Sequence, residues 1–187
     1  MRIISGKFKG KFISFLKSKT TRPLKDSVKE NIFNILSHSK SINIKLEKSN
    51  VLDLYSGIGS FGLECLSRGA NKITFVEKDK MALKILNQNI IKLSVDNKTT
   101  IIENEIMKFL KANISEKFEV FFFDPPFTNK DYIKELRIIL KNQIFKKQHI
   151  IVIHREKGSQ DKLDDIIETI FVKEYGRSKI IFGKFLT

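Results

Sequence analysis

Val51-Leu52-Asp53-Leu54-Tyr55-Ser56-Gly57-Ile58-Gly59-Ser60-Phe61-Gly62 reads as a short apolar strand, a glycine loop and the first turn of a helix. Gly57, Gly59 and Gly62 form a G-x-G-x-x-G pattern. Glycine permits positive φ and lets a ligand lie against bare backbone. The helix that follows offers free N–H groups and a positive dipole end. Glycine-rich turns serve many purposes, so the context decides. A second apolar run, Ile73-Thr74-Phe75-Val76, ends at Glu77, twenty residues after Gly57. A βαβ unit places an acid at that point, at the tip of its second strand and within reach of a ribose diol.

Working outward, apolar runs and helical stripes alternate. Strands are expected at 50–54, 72–76, 99–103, 118–123 and 149–153, with helices at 61–68, 80–93, 106–112, 130–140 and 160–168 between and after them. Gly69 can end the first of these helices, and Asp79 can cap the second. The tail, 170–175 and 179–185, reads as a hairpin turning at Gly176-Arg177-Ser178. Alternation of this kind predicts an α/β fold with a mostly parallel, doubly wound sheet, here closed by an antiparallel hairpin to make seven strands. In such a sheet the fourth strand lies beside the first, across the topological switch point. Asp124-Pro125-Pro126-Phe127, just after the fourth strand, then opens onto the same cleft as the glycine loop.

Ahead of this unit, residues 2–16 alternate around Gly6 and Gly10 and predict two short strands, with Lys7, Lys9 and Lys11 on one side and Phe8 and Phe12 on the other. Asp26 or Ser27 can cap a helix running to about Leu36, with Val28, Ile32, Phe33 and Leu36 as its apolar stripe. Two regions are expected: a basic hairpin and helix at 1–40, and the main domain at 41–187. Net charge is +14, and residues 1–30 carry nine Lys/Arg against two acids. A basic cluster this local is an electrostatic footprint for nucleic acid rather than a uniformly solvated surface. Lys7, Lys9, Lys11, Arg22 and Lys29 are the candidate phosphate contacts.

Some classes are set aside. No apolar run approaches the roughly 20 residues a membrane span needs, and the N-terminus lacks a signal-peptide shape. Cys65 is the only cysteine and reads as a small buried apolar residue; with three scattered histidines it suggests no metal site. His154, at the end of the fifth strand, reads as solvated or structural. A cytoplasmic monomer is expected. A nicotinamide-dependent oxidoreductase would share the glycine loop and Glu77 but leave Asp124-Pro125-Pro126-Phe127 and the basic arm unexplained.

Asp53-x-Tyr55-Ser56-Gly57-x-Gly59 together with Asp124-Pro125-Pro126-Phe127 resembles the class I S-adenosylmethionine-dependent methyltransferases of exocyclic amino nitrogens. Arg2-Ile3-Ile4-Ser5-Gly6-Lys7-Phe8-Lys9-Gly10, Thr21-Arg22-Pro23 and Lys29-Glu30-x-x-Phe33-Asn34 are similar to the N-terminal pattern of the RsmD-type family. Gly62-Leu63-Glu64, Leu66-Ser67-Arg68-Gly69-Ala70 and Phe75-Val76-Glu77 fit it too, so the likeness covers nearly the whole chain. The resemblance implies a Rossmann-like methyltransferase that transfers methyl from S-adenosylmethionine to N2 of a guanine in small-subunit (16S) ribosomal RNA. Another RNA, or DNA adenine, is the alternative acceptor. It implies that Asp124 and the Pro125 carbonyl hold the target amino group, Pro126 stiffens the loop and Phe127 stacks on the base. It further implies cofactor contacts from Asp53, Tyr55, Ser56, Gly57 and Gly59 around the methionine moiety. Glu77 would hold the ribose, and Glu105, where the family usually has Asp, the adenine.

Overall fold

The computed structural model describes residues 1–15 and 24–187. Five strands, β1 (Asn50–Leu54), β2 (Lys72–Glu77), β3 (Thr99–Glu103), β4 (Phe118–Phe123) and β5 (Phe145–Glu156), form the parallel part of one sheet. β6 (Ile167–Tyr175) and β7 (Ser178–Phe185) close it as an antiparallel hairpin. The strand order is β3-β2-β1-β4-β5-β7-β6, so the chain steps outward to β3 and returns to place β4 beside β1. That reversal is the switch point, and the cleft opens at the carboxyl ends of β1 and β4.

Alternating side chains divide the core between the two faces. Val51, Val120, Phe122, Ile150 and Val152 pack on one face with α1 (Asp26–His38), α2 (Ser60–Ser67) and α3 (Lys80–Leu93). Leu52, Leu54, Phe121, Phe123, Ile151 and Ile153 pack on the other with α4 (Ile106–Lys111) and α5 (Tyr132–Asn142). Both faces are covered, so the central strands read as continuous apolar runs.

The first forty residues share this core. Ile3, Phe8, Ile13, Val28, Ile32 and Phe33 join the α2 side of the sheet. The N-terminal arm lies on α2: Ile4 N and Ser5 N donate to Glu64, Phe8 N donates to Ser67 Oγ, and Lys7 N donates to the Ser67 carbonyl. Gly6 is required there, because its φ is +81° and a Cβ would sit 1.8 Å from the Ser67 carbonyl oxygen. This arm explains why every residue of α2 is buried.

Several expectations need correction. The two N-terminal strands reduce to an isolated bridge between Arg2 and Phe12, because residues 5–10 are taken up in turns against α2. Phe12 does not join Phe8; it is 66% exposed. Asp26 does not cap α1, which starts after Lys25; its carboxylate lies in the first turn instead, near Lys29. β5 begins at Phe145, four residues earlier than expected. The helix expected at 160–168 is absent. Leu163, Ile166 and Ile167 do carry helical spacing and are buried. The β-branched run Ile166-Ile167-x-Thr169-Ile170 instead pairs with β7 from Ile167 onward.

Candidate active site

The cleft at the switch point encloses about 770 Å³, within the range of small-molecule and cofactor sites. Its first wall is the glycine loop, which does two separable jobs. Gly57 has φ +53° and open space where a Cβ would stand, so it is the bare backbone facing the cleft. Gly59 and Gly62 are packing positions. A Cβ on Gly59 would meet Leu86 Cδ1 at 2.4 Å, and one on Gly62 would meet Phe75 Cε1 at 2.4 Å. Gly59 itself is not among the residues that line the cleft.

Asp53, on β1, is 1% exposed. Its Oδ2 accepts the Gly62 N–H at 2.9 Å, while its Oδ1 has no partner among the described residues. Burial pushes its carboxyl well above the usual range, and the Gly62 N–H opposes that only in part. Ser56 Oγ is also buried without a partner. These orphaned oxygens mark where a ligand donor, above all a cationic one, would be satisfied. Glu77 ends β2 and fixes the loop: Oε2 accepts the Gly57 N–H at 2.8 Å, and Oε1 those of Lys78 and Asp79. Glu105 lines the rim, half exposed between Lys78 and Lys108.

Tyr55 lines the same cleft, but its hydroxyl points to the far wall. It donates to Glu135 Oε2 at 2.8 Å and accepts from Asn129 Nδ2 at 3.2 Å. It therefore ties the glycine loop to α5 and to the segment following Phe127. Burial, with the Tyr55 bond opposing it, lifts the Glu135 carboxyl to about 7.

The second wall is Asp124-Pro125-Pro126-Phe127, held by His154, read from the sequence as solvated or structural, and by Arg155, which the sequence did not single out. The register pairs Phe123 with Ile153, which puts Asp124 and His154 side by side on one face. His154 Nδ1 lies 2.8 Å from Asp124 Oδ1, and its Nε2 lies 2.8 Å from Ser178 Oγ on β7. The next residue, Arg155, points to the opposite face and is 1% exposed. Its guanidinium donates to the Pro126 and Phe127 carbonyls at 3.3 and 3.1 Å, reaches Asp161 at 3.4 Å and stacks over Tyr132. Among the described residues no donor reaches the Pro125 carbonyl or Asp124 Oδ2. Both acceptors lack a donor in a loop that is otherwise clamped.

The basic arm is only partly as expected. Lys7, Lys9 and Lys11 are exposed, and Arg22 lies outside the described residues. Lys29 is fully buried: its Nζ donates to the Arg2 carbonyl and Ser60 Oγ and faces Glu64 at 3.9 Å. Burial lowers its pKa, with Glu64 and Asp26 pulling the other way. It is a structural cation of the arm and cannot reach a phosphate. Its spacing was the available signal, since Lys29 shares the α1 stripe with Ile32, Phe33 and Leu36.

A family model described as conserved hypothetical protein 95 matches residues 1–184. Ribosomal RNA small subunit methyltransferase D of Buchnera aphidicola subsp. Baizongia pistaciae is 32% identical, covering 100% of this chain and 91% of its own length. The protein of the same name from Haemophilus influenzae is 33% identical, covering 84% of this chain and 79% of its own length. Among solved structures, the yhhF protein of Escherichia coli superposes with a TM-score of 0.83 at 24% identity, covering 99% of this chain and 97% of its own. A match running nearly end to end at this identity means that the chain belongs to the conserved hypothetical protein 95 family, that of the ribosomal RNA small subunit methyltransferase D proteins.

Proposed function

We propose that this chain transfers a methyl group from S-adenosylmethionine to the exocyclic N2 of a guanine in small-subunit ribosomal RNA. Methyl transfer to ribosomal RNA is what the names of its relatives describe. The guanine amino group is argued from the acceptors in the cleft. One observation carries it: Asp124 Oδ2 and the Pro125 carbonyl, on two residues that line the switch-point cleft, take no donor among the described residues, while the following carbonyls are held by Arg155. Two acceptors on adjacent residues suit the two hydrogens of an amino group.

The residues present fit the cofactor. Asp53 Oδ1, buried and unpartnered, suits an ammonium, and the open face of Gly57 leaves room for a chain against backbone. Glu77 suits a ribose diol, and Glu105 stands at the rim where a base edge would lie. When bound, S-adenosylmethionine supplies an electrophilic methyl group on a sulfonium. The protein's own work is orientation. A guanine amino lone pair is delocalised into its ring and is a poor nucleophile. Asp124 and the Pro125 carbonyl hold that amino group and stabilise the positive charge that develops on it. The clamp from Arg155 keeps these acceptors in place, so little reorganisation is needed. Phe127, partly exposed and edge-on to His154 at 5.6 Å, offers a stacking face worth roughly 1–3 kcal/mol per base. The target base must leave its stack to enter, so a loop or flipped base is the expected substrate. Lys7, Lys9 and Lys11 supply exposed positive charge for the RNA backbone.

The test is Asp124→Ala. Transfer should fall by orders of magnitude while cofactor affinity stays within a few fold. Unchanged turnover would remove Asp124 from the chemistry.

A further inference from the structure

We propose that His154 is a positioning residue for this reaction, acting through Asp124, with Ser178 holding its far ring nitrogen. The inference rests on the methyl-transfer reading above and adds a residue to it. His154 is 7% exposed at the end of β5, so its ring nitrogens must find protein partners. Nδ1 has Asp124 Oδ1 at 2.8 Å, and Nε2 has Ser178 Oγ at 2.8 Å.

An ionised carboxylate can only accept, so Nδ1 must carry the proton and donate. In the neutral ring Nε2 is then bare and accepts from the Ser178 hydroxyl. Asp124 therefore sets the tautomer, and Ser178, whose hydroxyl can donate or accept, satisfies the nitrogen left bare. The consequence is directional. Oδ1 of Asp124 is satisfied by the imidazole, the plane of the carboxylate is held, and Oδ2 is left for the substrate amino group. The same ring touches Phe127 edge-on at 81°, so one side chain orients both the acceptor and the stacking face. Ser178 sits on β7, opposite Glu156 of β5, so the closing hairpin contributes to the site through this contact. That gives the hairpin a part in catalysis besides completing the sheet.

The test combines variants with a spectroscopic readout, using the full chain and small-subunit ribosomal RNA. In His154→Leu, kcat should fall about ten- to a hundredfold, the scale of a hydrogen bond to a charged group. KM for RNA and affinity for S-adenosylmethionine should stay within a few fold, and so should the melting behaviour. His154→Asn, whose amide can replace the Nδ1 donor, should recover most of the loss. In ¹⁵N-histidine spectra the wild-type ring should be protonated at Nδ1 and bare at Nε2, and Asp124→Asn should erode that preference. Equal kcat in His154→Leu and wild type would overturn the proposal. So would a ring protonated at Nε2 with Nδ1 bare, or an Asn variant no better than Leu. A wild type inactive on every ribosomal substrate would instead sink the methyl-transfer reading, and the ring's tautomer would still judge the His154 assignment.

Discussion

Arg155→Met replaces the buried clamp with an uncharged side chain of similar length. The guanidinium is lost from two carbonyls of the Asp124–Phe127 loop, from Asp161 and from the Tyr132 ring. Removing one partner of a buried ion pair costs roughly 3–5 kcal/mol. The low end applies, because Asp161 keeps Ser159 Oγ at 2.8 Å and Lys179 at 3.8 Å. The Pro126 carbonyl also keeps the Asn129 N–H at 2.8 Å. The lost stacking on Tyr132 adds about 1 kcal/mol, and the methionine regains part of it by packing. The sum is about 3 kcal/mol, or a melting temperature lower by about 6–12 °C for a chain of this length. Urea denaturation should show a lower midpoint at unchanged slope. Turnover should fall further than stability alone explains when assayed well below the melting point, because Pro125 and Phe127 lose their fixed position. Arg155→Lys, which keeps a charge near Asp161 but not the fork, should lie between. A loss below about 1 kcal/mol with wild-type turnover would refute the clamp.

Glu135 gives a pH signature. Its folded carboxyl titrates at about 7, against 4.5 ordinarily, so the unfolded chain releases its proton first. This contribution to stability is present below about pH 4.5, is lost as pH rises to 7 and stays lost above, for about 2 kcal/mol after allowing for solvent access. Glu135→Gln should remove that fall in urea titrations across the range; an unchanged wild-type-minus-variant difference would contradict it. Gly57→Ala and Gly59→Ala should separate ligand contact from packing. The first should cost folding about 1 kcal/mol and S-adenosylmethionine affinity about tenfold or more by calorimetry. The second should cost folding about 3 kcal/mol, since its Cβ also meets Leu86. Reversing Lys7, Lys9 and Lys11 to Glu should weaken RNA binding and flatten its log–log salt slope by about 2–3. Lys29→Met should leave that slope alone while lowering stability by about 3 kcal/mol.

The parallel strands and the glycine loop were legible because strands buried on both faces leave unbroken apolar runs between turn residues. The cleft was legible because topology alone brings the ends of β1 and β4 together. What was missed depends on register and on tertiary charge. Asp124 and His154 meet only if Phe123 pairs with Ile153, and strand ends set that pairing to the residue. Arg155 lies one step further on, where alternation sends it to the other face. Lys29 looked like one more cation of a basic arm, although its place on the α1 stripe and the presence of Glu64 on α2 made it an internal ion. At 160–168, helical spacing and β-branched composition pointed opposite ways. Pairing with β7 decided for a strand from Ile167 onward and left the residues before it in a loop and turn, a choice set by the partner strand.

Methyl transfer to guanine N2 is tested by offering labelled methyl from S-adenosylmethionine to three acceptors: unmodified small ribosomal subunits, protein-free small-subunit RNA and DNA. Label is expected in a ribosomal sample, recovered as N2-methylguanine. Label confined to DNA, or recovered on another nucleoside, or absent from all three while the cofactor binds, would contradict it.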